Sequence, residues 1–206
     1  MQEVLKKIIK ETINPLFKLE GFKKNSNNFS KMFPDFSWTV KIQSSRHNSQ
    51  EGFEFTINTG IYTDKIFGTL NEWDPPKFPK EEESVLRTNI SEIKGESSCW
   101  YKITPENDLE VFNEHLHNDI VNVLFPYLNQ FQSIDDVIKV LEIRDGSDSY
   151  ENPHHLTIIY NSYGFPDKAQ NRINEIYSAL TVTSQKEFTK ELCYRLGLNI
   201  EHLEKR

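Results

Sequence analysis

The sequence predicts an α+β fold. It comprises an antiparallel sheet of about five strands, an N-terminal helix and a long central helix packed on it, and a helical tail. Three observations carry this reading. Residues 40–62, VKIQSSRHNSQEGFEFTINTGIY, set two β-rich runs around a polar segment at 46–52, the pattern of a hairpin with a longer loop. Hydrophobic residues recur at helical spacing in 4–17 and again in 109–124. Strand patterns then stop, and 153–206 reads as three helices.

In the first hairpin arm Val40, Ile42 and Ser44 share a face. In the second, Phe53, Phe55, Ile57, Thr59 and Ile61 do, because strand side chains alternate. Lys41, Gln43, Ser45, Glu54, Thr56, Asn58 and Tyr62 lie on the other faces.

Ahead of the hairpin, Val4, Leu5, Ile8, Ile9, Ile13, Leu16 and Phe17 form the apolar side of a helix. Gly21 is its expected stop, and Pro15 requires a kink or break near Asn14. Residues 22–28 read as a polar turn, and 29–33 and 36–45 as strands split by Pro34 and Asp35.

Beyond the hairpin, 63–80 reads as a loop, 86–93 and 98–103 as strands. Thr104 is the expected N-cap of the central helix, Pro105 its first residue and Pro126 its end. Ser133 with Asp136, and Ser184 with Glu187, read as capping boxes of later helices. The expected organisation is an α+β domain over 1–130 and a helical extension over 131–206, with a polar linker at 145–152. Gly164 and Ala169 between two helical patterns suggest one tetratricopeptide-like helix pair; a lone pair is expected to pack on the sheet domain rather than start an array.

The bulk properties bound the function. At 206 residues the chain holds one sizeable core, or a domain with an extension, and 36% hydrophobic and 12% aromatic residues argue for a folded protein. A net charge of −7 argues against a general nucleic-acid binder, which needs basic surface to neutralise phosphates. It leaves open a protein partner with a basic surface, although acidity also serves solubility. Cys99 and Cys193 are too few for a disulfide scaffold or a cysteine metal site. The start of the chain is broken by charges and no long apolar run follows, so a cytoplasmic protein without membrane attachment is expected.

The elements Ile42-Gln43-x-Ser45 and Phe55-Thr56-Ile57-Asn58-x-Gly60-Ile61-Tyr62 resemble the bacterial family catalogued as domain of unknown function 4304. Gly21-Phe22-Lys23-Lys24, Phe29, and Cys99 with Lys102-Ile103 support the resemblance. It covers roughly residues 1–130, and the helical tail is similar to an extension seen on some members. The family often carries Arg-Ile-Gly and a paired Trp after the Cys strand, where this chain reads Tyr101-Lys102-Ile103-Thr104-Pro105. The resemblance implies no activity and no cofactor.

No nucleophile elbow, phosphate-binding glycine loop or His-Glu-x-x-His motif is present. His115 and His117 lie two apart on a predicted helix and point about 200° apart, so they cannot share a metal. The candidate cluster is polar and sits on the hairpin: Gln43, Ser45, Arg46, His47 and Asn58. Gln43 and Asn58 are poor strand formers, so either a ligand or partner uses them or their amides satisfy neighbouring polar groups. Three functions remain open. The first is a non-catalytic protein-binding module, an adaptor or immunity-type inhibitor. The second is a binder of a small polar ligand over the Gln43/Asn58 face. The third is a hydrolase using His47 or Cys99, with Cys99 as a small buried strand residue the simpler reading.

Overall fold

In a computed structural model of the chain, residues 2–46, 48, 52–71, 73–97, 100–145 and 152–200 are described. His47, Cys99 and most of the predicted linker lie outside them. The first helical rod runs as α1 (Gln2–Ile8), a π-helical turn (Ile9–Ile13) and α2 (Asn14–Leu19), with Gly21 at φ 83° past its end. The expected break at Asn14 takes the form of this π turn. Proline donates no N–H and its ring crowds the carbonyl four residues back. The chain widens one turn instead, and the Asn14 N–H reaches back five residues to the Ile9 carbonyl.

The segment predicted as a polar turn contains a strand. β1 (Lys23–Asn25) turns at Ser26, where φ is +55°, into β2 (Asn28–Met32), followed by β3 (Ser37–Ser44) and β4 (Phe53–Tyr62). The predicted hairpin forms, and its register sets Ile42 opposite Ile57, Val40 opposite Thr59 and Ser44 opposite Phe55. The loop after it is not featureless: Thr63 caps α3 (Asp64–Leu70) by accepting from the Ile66 N–H. A 3-10 turn (Glu81–Glu83) leads into β5 (Leu86–Asn89).

Residues 86–93 are therefore not one strand. The Asn89 side chain accepts from Ser91 and Glu92, and the Glu92 side chain caps the Asn89 N–H; this capping box opens α4 (Ile90–Lys94). β6 is short (Tyr101–Ile103). Thr104 caps nothing: its N–H and hydroxyl both turn onto the Asn107 side chain. The N-cap is Asp108, and α5 spans Leu109–Asp119. Pro126 does not end this rod either. A second π turn (Ile120–Leu124), in which the Phe125 N–H reaches the Ile120 carbonyl, carries the chain into α6 (Phe125–Leu128). Pro15 and Pro126, which lie inside these two rods, are thus each preceded by a π turn.

The remaining helices are α7 (Ile134–Arg144), α8 (His154–Ser162), α9 (Pro166–Ala179) and α10 (Thr183–Leu196), ending at Gly197 with φ 67°. The Ser184–Glu187 capping box does not form: α10 starts from Val182 without a side-chain cap, and Phe188 is 43% exposed.

The chain divides into two compact units, one of residues 1–62 and 76–134, the other of 63–75 and 135–206. In the first, the sheet among the described residues has six strands, ordered β1-β2-β3-β4-β5, with β6 on the β5 side of β4 and all pairs antiparallel. The rods lie on one face. Phe17 meets Phe22, Phe29 and Phe125 at ring-centroid distances of 5.0, 4.6 and 5.3 Å, and the Trp38 indole donates to the Phe131 carbonyl. Farther along, Phe55 stacks on Tyr101 at 5.2 Å. Large side chains placed this way supply most of the burial free energy.

In the second unit α8 and α9 form a helix hairpin around Gly164 (φ 87°), with Ala169 fully buried, and α3 packs on α8. α7 is tied to that hairpin by ion pairs. The Arg172 guanidinium grips Asp145, Lys168 reaches Glu142 at 3.1 Å, and the Tyr160 hydroxyl donates to Glu142. Burial pushes His155 down to about 4. A neutral imidazole in the folded state stabilises it above the unfolded value near 6.5. That contribution falls as pH drops from about 6.5 to about 4, by roughly 3 kcal/mol in full. A His155→Gln variant should therefore lose less stability than wild type over that interval, as read by urea unfolding at stepped pH with a helical-unit probe.

Candidate functional site

The five candidate residues do not converge on a pocket; they extend along the hairpin. Gln43 and Asn58 lie on the sheet face away from the helical rods, and Asn58 Nδ2 donates to Gln43 Oε1 at 2.6 Å, diagonally across β3 and β4. Ser45 continues the ladder by donating its N–H to the Glu54 carbonyl at 2.8 Å. Arg46 is exposed in the turn. His47 lies outside the described residues. A residue that sequence reasoning passed over closes the hairpin. The Asn48 amide accepts from the Glu54 N–H at 2.7 Å and donates to the Glu54 carbonyl at 3.0 Å, imitating a backbone pair.

Beside the Gln43–Asn58 pair lies an open cleft of about 200 Å³ lined by Asn58, Glu81, Arg87, Thr88, Asn89 and Glu92. Its floor is Glu81, only 3% exposed, whose two oxygens receive Arg87 Nε at 2.8 Å and Nη2 at 3.2 Å. Burying a carboxylate without a partner is costly, and a two-point guanidinium contact meets that cost. Glu92 takes the Thr88 hydroxyl at 2.6 Å and the Asn89 N–H at 3.3 Å. Sequence reasoning missed these residues because 86–93 looked like one strand; the Asn89-x-x-Glu92 capping spacing was the available signal.

The approach of the 3-10 turn to the sheet explains Gly60. A Cβ there would lie 2.5 Å from Ser84 Cβ and 2.8 Å from the Leu86 carbonyl oxygen. With glycine present, the Ser84 and Thr39 hydroxyls meet at 2.7 Å and Thr39 also donates to the Gly60 carbonyl. The Asn-x-Gly element is therefore structural: the asparagine pairs across strands and the glycine admits the crossing chain.

A second polar cluster joins β6, α4 and α5. Asp119, 6% exposed, accepts on one carboxylate oxygen the Tyr101 hydroxyl at 2.7 Å, with Lys94 Nζ and His115 Nε2 each at 3.4 Å. Along the segment from 100 to 114, Glu106, Asp108, Glu110 and Glu114 are exposed, as are Trp100, Leu109 and Val111, at 42, 36 and 63%. Asp108 and Glu110 have a local reason, since Asp108 accepts from Glu110 and Val111 and both acids sit at a helix N-terminus. Glu106 and Glu114 form no ion pair among the described residues. Within those residues no three His, Cys, Asp or Glu side chains gather in metal-binding geometry. No described helix is long and apolar enough to cross a membrane. Cys193 is buried, and burial pushes its thiol up to about 11, away from a nucleophile's range.

Residues 13–130 match the family described as Domain of unknown function (DUF4304). The chain belongs to that family. The match ends before the α7–α10 helices, so these are an addition to the DUF4304 region, which includes both the cleft and the α5 acidic face. No curated protein and no solved structure matches the chain.

The fit at Gly60 is directly testable. Gly60→Ala should destabilise the sheet unit by about 1–3 kcal/mol, the usual range for overpacking, although alanine suits a strand better than glycine does. Adding Ser84→Gly should restore part of that loss in denaturant unfolding.

Proposed function

We propose that this chain is a non-catalytic cytoplasmic binding module, an adaptor or immunity-type inhibitor. Its partner is a protein with a basic surface, docked on the side of α5 that carries Glu110, Val111 and Glu114, with Glu106 on the loop before that helix. The observation that supports the reading is the exposed side of α5, where helix geometry brings Val111 within about 100° of Glu110 and Glu114, carboxylates with no ion pair among the described residues. Aromatic and aliphatic anchors provide contact energy at interfaces, and surrounding charge selects the partner and speeds encounter. The protein's net charge of −7 adds to the same attraction. The other clusters do not suggest turnover: Asp119 is occupied by its neighbours, and the cleft carboxylates are paired or capping.

The test compares wild type with Glu106→Lys/Glu114→Lys, checked for unchanged unfolding, in affinity capture from cells that make the protein, followed by kinetics on the purified pair. Wild type should recover a basic protein whose association slows as salt rises, and the variant should bind about tenfold or more weakly. Partner binding untouched by the charge reversal, or turnover in a hydrolase screen with no partner recovered, overturns the proposal.

A further inference from the structure

The sheet-face cleft plays no part in that docking face, and its chemistry points to a ligand of its own. Its lining is wholly polar, with no aromatic platform, so recognition there must come from hydrogen bonds and charge. Glu81 and Arg87 neutralise each other across a two-point contact. That leaves the Glu92 carboxylate as the one uncompensated charge in the lining, with Oε2 used by Thr88 and Asn89 and Oε1 without a partner among the described residues.

Neutral groups of both kinds surround it. Asn58 spends its Nδ2 on Gln43, which leaves Oδ1 as an acceptor beside the cleft. Asn89 spends its Oδ1 on the capping contacts to Ser91 and Glu92, which leaves its Nδ2 as a donor. Arg87 binds Glu81 through Nε and Nη2, which leaves Nη1 as a second donor. One anion, two donors and one acceptor around about 200 Å³ match a small molecule carrying one ammonium and several hydroxyls.

We propose that this cleft binds a small hydroxylated amine, its ammonium on Glu92 and its hydroxyls on Asn58, Asn89 and Arg87. An uncharged polyol would keep the hydroxyl contacts and lose the charge-assisted one, and a carboxylate-bearing analogue would meet Glu92 as a like charge. The alternating use of each amide, one end held by the fold and the other left over, is what presents the cleft in a fixed arrangement rather than as a mobile surface.

The probes are glucosamine, glucose and glucuronate, matched in ring and differing in charge. Each is titrated into the full chain and followed by backbone amide NMR shifts. Glucosamine should move the amides of Asn58, Thr88, Asn89 and Glu92, glucose should do so with about tenfold weaker affinity or less, and glucuronate should not. Glu92→Gln keeps the cap and removes the charge, so it should erase the preference for glucosamine over glucose while leaving unfolding unchanged. No shifts with any probe, shifts spread away from the cleft, or a preference that survives Glu92→Gln overturns the proposal.

Discussion

The pairing of β4 along both of its edges is the constraint on which the sheet unit depends. Along its ten residues, one edge is taken by β3 over eight paired positions. The other is taken by β6 at Phe53–Phe55 and by β5 at Asn58–Ile61, with Thr56 and Ile57 between them. A strand with both edges paired has its backbone donors and acceptors satisfied, so its side chains can be buried on both faces. Phe55, Ile57 and Ile61 are all fully buried, and Tyr62 nearly so.

The two faces of that strand solve different problems. On one, apolar rings receive the helical rods, and the π turns before Pro15 and Pro126 let each rod run on past its proline instead of ending there. On the other, the crossing chain after the 3-10 turn comes so close that only glycine fits at position 60. The same crossing sets Glu81 under Arg87 and so makes the polar cleft. The cleft is a consequence of strand order, as is the Asp119 cluster, which gathers because β6 returns to β4 next to α4 and α5.

What was legible in the sequence followed strict periodicity. The alternation around Ile42, Phe55 and Ile57 gave the hairpin and the residues that share each face, and the apolar stripes gave both rods and the tail helices. Local chemistry misled where two readings shared one pattern. Leu86, Ile90 and Ile93 suit a strand as well as a strand followed by a capped helix, and Thr104-Pro105 resembles a helix start that the structure delays to Asp108. Pro126 was read as a stop because the π turn that accommodates it leaves no mark in composition. Of the candidate residues, Gln43 and Asn58 were legible as unusual strand residues, and they meet. Glu81, Arg87 and Glu92 were not, because they reach the face only through the pairing of β5 with β4.

β4 organises this unit: β5, which lines the polar cleft, and β6, which leads toward α5, both pair with it. Native-state hydrogen exchange resolves it residue by residue. The amides of Asn58, Thr59 and Ile61 should be the slowest to exchange in the sheet unit, at the free energy of its global unfolding, while β1 at the sheet edge exchanges by local opening. If the β4 amides open as readily as those of β1, or before the helical rods detach, the claim is wrong.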